Sequence, residues 1–108
     1  MEALAERLRS ALEAGDLGAL AGLLDPAVRW GGEEDTEQTC HNRAEVLAWY
    51  EALHARGVRA SVAEVSVQPD AVVLGFDVTR PDDPEDRDRV YQTFMVAGGL
   101  VVDIRADG

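Results

Sequence analysis

A chain of 108 residues has room for one domain, and its 46% hydrophobic and 29% charged residues are typical of a globular protein. The formal net charge of −11 disfavours nucleic acid and anionic membrane surfaces as partners, because both would repel the chain. Every basic residue is Arg, and the lack of Lys excludes Schiff-base chemistry, including internal linkage of pyridoxal phosphate.

The first part of the chain has the periodicity of helices. A first amphipathic helix is predicted over about residues 2–14 from Leu4, Leu8, Ala11 and Leu12, with Gly15 as its stop. Asp16 is expected to cap a second helix, which would carry Leu17, Leu20, Leu23 and Leu24 and end at Asp25-Pro26. Residues 27–30 are then predicted to form a short strand, closed by Gly31-Gly32.

A third helix is predicted over about residues 43–56, ended by Gly57. Asn42 and Glu45 stand three residues apart at its start, as in a capping box. Its buried stripe would consist of Val46, Leu47, Trp49, Tyr50 and Leu53. The acidic segments 33–37 and 82–86 are expected to be solvated loops.

The second half of the chain changes to the two-residue period of β-strands. Strands are predicted over about 58–67, 72–79, 90–97 and 100–105, joined by a turn at 68–70, a connection at 80–88 and a tight hairpin at Gly98-Gly99. Helices followed by strands favour an α+β fold, with the helices on one face of an antiparallel meander. Residues 1–108 are therefore expected to form a single domain.

Both faces of this predicted sheet carry apolar side chains. The richer set is placed against the helices and consists of Val72, Leu74, Phe76, Val90, Phe94, Val96, Leu100, Val102 and Ile104. The second set is expected on the outer face and consists of Val65, Val67, Val73, Tyr91, Met95 and Val101. Because the helices cover only one face, we expect a homodimer that buries the second set. Asp77 and Asp103 share that outer face and would have to lie at the rim or pair with an Arg such as Arg105.

Three segments resemble the nuclear transport factor 2-like superfamily and, within it, the SnoaL-like domains. They are LDPAVRW at 24–30, CHNRAEVLAWY at 40–50 and the closing hairpin GGLVVDIR at 98–105. The resemblance implies a cystatin-like cone, in which a curved antiparallel sheet wraps around N-terminal helices and an apolar pocket opens at the wide end. Its members include isomerases, polyketide cyclases, epoxide hydrolases, dehydratases and domains without known activity, so the fold does not fix the function.

The catalytic groups that the resemblance implies are not clearly present. The position of the general-base Asp of the isomerases is occupied by Trp30 here. Asp77, Asp103 and Arg105 could supply the Asp-Arg-Asp cluster of the epoxide hydrolases, but strand alternation places both Asp residues outside. The buried carboxylate of the cyclases could only be Glu64, and only if its strand carries a bulge. Catalytic residues are therefore left unassigned.

A ligand pocket is predicted between the third helix and the sheet. Its lining would consist of Trp30, Trp49, Tyr50, Phe76, Gln92 and Phe94, which are aromatic side chains with one amide. Gln92 interrupts an apolar series, so it is either a satisfied buried amide or a group that orients a ligand. Two functions stay open. One is binding of a small apolar molecule, with cyclase, isomerase or hydrolase activity as an extension. The other is a non-catalytic dimerisation or partner-binding domain with a filled cone.

The remaining candidate residues give weaker signals. Cys40 is the lone cysteine, which fits a reducing compartment, and a cytoplasmic location is the default expectation. Cys40 and His41 with Glu33, Glu34 and Asp35 have no recognised metal spacing, so neither a metal nor a cofactor is expected. Cys40 and His41 are also adjacent, and adjacent side chains diverge, which disfavours a nucleophile–base pair. His54, in the last turn of the third helix, is explained by the helix dipole.

Overall fold

The computed structural model describes residues 2–31 and 34–107, without the side chains of 83–87 and 107. Within these residues the helices are α1 (Glu2–Ala14), α2 (Leu17–Ala21) and α3 (Arg43–Ala55). The strands are β1 (Leu24–Trp30), β2 (Arg59–Val67), β3 (Ala71–Arg80), β4 (Asp83–Ala97) and β5 (Leu100–Asp107). The helices lie against one five-stranded curved, unclosed sheet, which confirms the predicted α+β fold. No helix in this part of the chain is long and apolar enough to span a membrane.

The strand order of the sheet is β1-β5-β4-β3-β2. Strands β2 to β5 form the predicted antiparallel meander, and β1 joins its edge by parallel pairing with β5. One row of paired residues crosses all five strands, in the order Trp30, Ile104, Phe94, Val72 and Val67. The three central members of this row are fully buried, so the core lies where the helices cover the middle of the sheet.

The first and third helices form where the sequence predicts them. The Oδ1 of Asn42 accepts a hydrogen bond from the Glu45 amide at 2.9 Å and caps α3. The Glu45 carboxylate accepts one from the amide of His41 at 2.7 Å, not from the amide of Asn42 as in a regular capping box. Asp16 caps α2 as predicted, with its Oδ1 3.1 Å from the amide of Ala19.

The second helix is shorter than predicted. It ends at Ala21, and two leucines then reach the core, Leu23 from the turn that follows and Leu24 from the first position of β1. The carbonyl of Leu23 accepts a hydrogen bond from the amide of Val101 at 2.9 Å, which ties this segment to β5. Pro26, predicted to terminate the helix, lies inside β1 where the register shifts. Proline has no backbone N–H to donate, and this is tolerated because β1 is an edge strand, where one side of the strand has no partner.

A bulge between β4 and β5 corrects the predicted facing of the last strand. The register shifts between Met95 and Val96, so both Val101 and Ile104 point into the core. Because a one-residue slip inverts the facing of a strand, the prediction that Val101 lies on the outer face is wrong, and it is fully buried. Leu100 and Val102 were predicted to share the core face, but neither belongs to the core cluster.

A second bulge, in β2, corrects two further predictions. The register shifts between Val62 and Glu64, after which Val65 pairs with Leu74 and Val67 with Val72. Directly paired residues share a face, so Val65 and Val67 lie on the helix side of the sheet and not on the outer face. They are 47% and 40% exposed because they lie at the end of an edge strand.

The outer face keeps Val73, Tyr91 and Met95 from the predicted set. The carboxylates beside them are paired: Arg89 Nε donates to Asp77 at 2.6 Å, and Arg105 Nε donates to Asp103 at 3.1 Å. Both carboxylates are therefore paired with an Arg, as an interface on this face would require. The homodimer itself stays a prediction.

The connection predicted over 80–88 is largely strand. β3 ends at Arg80 and β4 begins at Asp83, and these two residues face each other across a short turn. A register shift between Thr79 and Arg80 takes up the extra residues of β4. Backbone pairing therefore continues through a segment whose Pro and Asp content predicts a loop. The predicted loop residues Gly32 and Glu33 and the acidic side chains of 83–86 lie outside the described part.

Candidate functional site

A cavity of about 400 Å³ lies between the helices and the inner face of the sheet. Of the six residues predicted to line a pocket, the structure brings five into its wall: Trp30, Trp49, Tyr50, Phe76 and Gln92. The sixth, Phe94, does not line it and is fully buried in the core. Phe94 pairs with Val72 and Ile104, so its ring lies in the packed middle of the sheet. The cone is therefore open at one end and filled at the other.

An aromatic wall forms one side of the cavity. Trp30 ends β1 and exchanges two 2.9 Å backbone hydrogen bonds with Cys40, which lies just before the start of α3. This tether holds α3 over β1, and the rings of Trp30 and Trp49 pack with their centroids 4.3 Å apart. Tyr50 meets Trp49 edge-on at 5.1 Å. The indole nitrogen of Trp30 is shielded and has no hydrogen-bond partner within the described residues. The wall therefore offers a ligand mainly flat apolar surface.

A tyrosine–glutamine pair supplies polar groups inside this surface. The Tyr50 hydroxyl on α3 donates to Oε1 of Gln92 on β4 at 3.0 Å. Burial raises the pKa of the Tyr50 phenol, and the nearby Cys40 thiol adds to the shift, so the hydroxyl stays a protonated donor. Within the described residues the amide nitrogen of Gln92 has no hydrogen-bond partner, and it is available to a ligand. Gln92 therefore lines the cavity with a satisfied amide oxygen, and its role in orienting a ligand stays a prediction.

The mouth of the cavity contains residues that the sequence did not predict to be functional. His54 was explained by the helix dipole, but its ring lines the cavity against Gly15, in the turn after α1. A Cβ added at Gly15 would lie 2.6 Å from Nε2 of His54, and the φ of +67° there also favours glycine. Periodicity identified Gly15 only as a helix stop. The contact with His54 depends on the approach of two distant turns, for which the sequence carries no local signal.

Glu13 is the one carboxylate among the described residues that line the cavity. Its Oε2 accepts a hydrogen bond from the backbone amide of Val62 at 3.0 Å, at the bulge of β2. Its Oε1 accepts one from Arg9 at 2.8 Å. Because both oxygens are engaged, Glu13 has a structural role in fastening α1 to the edge of the sheet.

The other acidic candidates lie away from the cavity. The bulge that could have turned Glu64 inward is present, but Glu64 faces outward beside Gly75 and Tyr91 and lies 3.5 Å from Arg89. The inward position considered for Glu64 is therefore wrong. Asp77, Asp103 and Arg105 are on the outer face as well, where they form ion pairs and do not line the cavity.

Cys40 and His41 have different surroundings. Cys40 is buried, and burial, with the charge of Glu45, raises the pKa of its thiol, which opposes a nucleophilic role. The exposed His41 ring lies with Nε2 2.8 Å from Asp35, whose hydrogen bond raises the pKa of His41. Within the described residues no three His, Cys, Asp or Glu side chains are grouped to hold a metal ion. Glu33, considered with this cluster, lies outside them.

The family model for the SnoaL-like domain matches residues 5–104. A presumed polyketide cyclase from Sinorhizobium meliloti has a similar structure, with 18% identity, a TM-score of 0.77 and coverage of 96% of this chain and 93% of that one. A presumed ketosteroid isomerase from Kribbella flavida has 19% identity and a TM-score of 0.80, with coverage of 96% and 73%. A cystatin-fold protein from Novosphingobium aromaticivorans has 14% identity and a TM-score of 0.80, with coverage of 97% and 95%. At these identities the similarity concerns the fold. No curated protein matches the chain.

Proposed function

Because this chain belongs to the SnoaL-like domain family, we propose that it binds a small apolar molecule in the cavity of its cone. The observation that carries the proposal is the cavity of about 400 Å³ lined by Trp30, Trp49, Tyr50 and Phe76. Its volume lies in the range of roughly 300–1,000 Å³ that ligand sites occupy. The Tyr50–Gln92 pair gives this apolar wall the few polar groups that orient a ligand.

The cavity wall limits the chemistry that could accompany binding. Glu13 has both oxygens engaged, and the Tyr50 phenol holds its proton, so neither is poised to accept one. His54 is the remaining acid–base side chain in the described wall. The similar cyclase-like and isomerase-like structures make catalysis a natural extension of binding, and we assign no catalytic residue.

The alternative of a partner-binding domain with a filled cone is less well supported. It requires side chains such as Trp30, Trp49 and Phe94 to occupy the interior. Phe94 packs in the core, and the two indoles stack against each other and border open space.

Fluorescence of the protein itself can test the proposal, because both tryptophans of the chain line the cavity. We expect saturable quenching of their emission by the neutral apolar dye N-phenyl-1-naphthylamine. Tyr50→Phe and Gln92→Leu should change the affinity for the dye, since each alters the polar pair. Gln68→Leu, in the exposed turn before β3, is the matched control and should leave it unchanged. Absence of saturable binding, or an equal effect of the control, would contradict the proposal.

A further inference from the structure

The mouth of the cavity concentrates positive charge in a chain that is strongly acidic. Three of its ten basic residues, Arg56, Arg59 and Arg80, line the cavity, although the net charge of the chain is −11. Glu13 is the one described carboxylate in the same wall, and its oxygens are engaged by Arg9 and a backbone amide. Among the described residues that line the cavity, the charge is thus opposite in sign to that of the protein as a whole.

The fold brings these arginines together through two turns that touch. Arg56 caps the end of α3, and Gly57 follows with a φ of +83°. A Cβ at Gly57 would lie 3.1 Å from Cγ of Pro81, so the turn after α3 packs directly on the turn after β3. Arg56 and Arg80 are the residues next to this contact, and Arg59 begins β2 immediately beyond it.

The three arginines differ in how much charge they leave for a ligand. Arg80 is neutralised by Asp88, with 2.6 Å between Nη1 and Oδ2. Arg59 donates from Nη1 to the backbone carbonyls of His54 and Val58, both at 3.0 Å, and these neutral acceptors leave its charge in place. Arg56 is exposed and forms no ion pair with a described side chain.

The end of α3 explains only part of this charge. A helix C-terminus carries about −0.5 of an elementary charge, which two full guanidinium charges exceed. The excess acts at short range, since the Debye length is roughly 8 Å at physiological ionic strength. The overall negative charge of the chain would repel an anion at greater distances.

We propose, building on the proposed binding function, that the ligand is an amphipathic anion. Its flat apolar body would lie against the aromatic wall, and a single carboxylate or similar anionic group would lie at the mouth beside Arg56 and Arg59. A guanidinium group recognises such an anion through parallel hydrogen bonds. A cationic ligand is disfavoured because the described wall offers it no uncommitted carboxylate.

Two dyes with one skeleton separate the contribution of the charge from that of the apolar body. 8-Anilinonaphthalene-1-sulfonate carries an anionic group, and N-phenyl-1-naphthylamine is the same molecule without it. In the double variant Arg56→Gln/Arg59→Gln, we expect the affinity for the sulfonate to fall roughly three- to tenfold, the effect of two exposed ion pairs. The affinity for the neutral dye should stay within about twofold, and added salt should weaken only the binding of the sulfonate.

A matched control removes the same charge elsewhere. Arg7→Gln/Arg43→Gln changes two arginines that do not line the cavity and should leave both affinities unchanged. Arg56→Gln alone should show part of the effect without disturbing the contacts of Arg59 to the end of α3. If the double and control variants weaken the sulfonate equally, or if the double variant weakens both dyes alike, the anion inference is wrong and the binding proposal stands. If neither dye binds saturably, both are wrong.

Discussion

Replacement of Phe94 by Ala tests the packing of the layer between the sheet and the helices. Phe94 is fully buried, and so are its strand neighbours Val72 and Ile104. Removal of the ring would leave a void enclosed by side chains that have little freedom to collapse into it. Truncation of a buried Phe costs about 3–5 kcal/mol, a large part of the roughly 5–15 kcal/mol that stabilises a domain.

Urea unfolding followed by far-ultraviolet circular dichroism measures this loss as a change in the free energy of unfolding at constant m-value. Phe76, the other phenylalanine of the chain, is the matched control, because its ring already borders the cavity. Phe76→Ala enlarges an existing space and should cost less than Phe94→Ala. A loss below about 1 kcal/mol for Phe94→Ala, or a larger loss for Phe76→Ala, would refute the assignment of the two rings.

Three further predictions concern the first turn, the surface cluster and the outer face. Gly15→Ala should lower the melting temperature more than Gly98→Ala, because both positions have positive φ but only the first would meet an imidazole ring; equal losses would contradict this. The raised pKa of His41 means that its contact with Asp35 stabilises the fold at low pH and is lost as pH rises through that pKa, and Asp35→Asn should lower the pKa in an NMR titration; an unchanged pKa would refute the stated cause. Light scattering should give twice the 11.7 kDa mass of the chain, and Tyr91→Asp should halve it, whereas a wild-type mass of 11.7 kDa would exclude the homodimer that we propose.

Much of the fold could be predicted because its signals are local. Helical spacing defined α1 and α3, and the side chains of Asp16 and Asn42 cap helices where the sequence indicates. Strand facing was harder, since alternation assumes an unbroken register. The bulges near Val62 and Met95 inverted it, and their positions depend on pairing between strands and not on the residues of one strand.

The candidate site divides in the same way. The aromatic wall was predictable, because Trp49 and Tyr50 lie on a helix face and Phe76 and Gln92 on a strand face. The mouth was not, because it forms where turns from distant parts of the chain meet. The contact between the His54 ring and Gly15 could not be predicted from the spacing of residues in the sequence.

The parallel pairing of β1 with β5 has a consequence for how the protein forms during synthesis. Leu24 and Trp30 pair with Val101 and Ile104, so an early segment must wait for the latest strand of the sheet. Until β5 leaves the ribosome, β1 has no strand neighbour, and the hairpins of β2 to β4 can assemble without it. Contacts so distant along the chain form slowly, because the long intervening loop must close first. Docking of β1 would therefore be a late step, and the stacking of Trp30 on Trp49 would report it as a change in fluorescence.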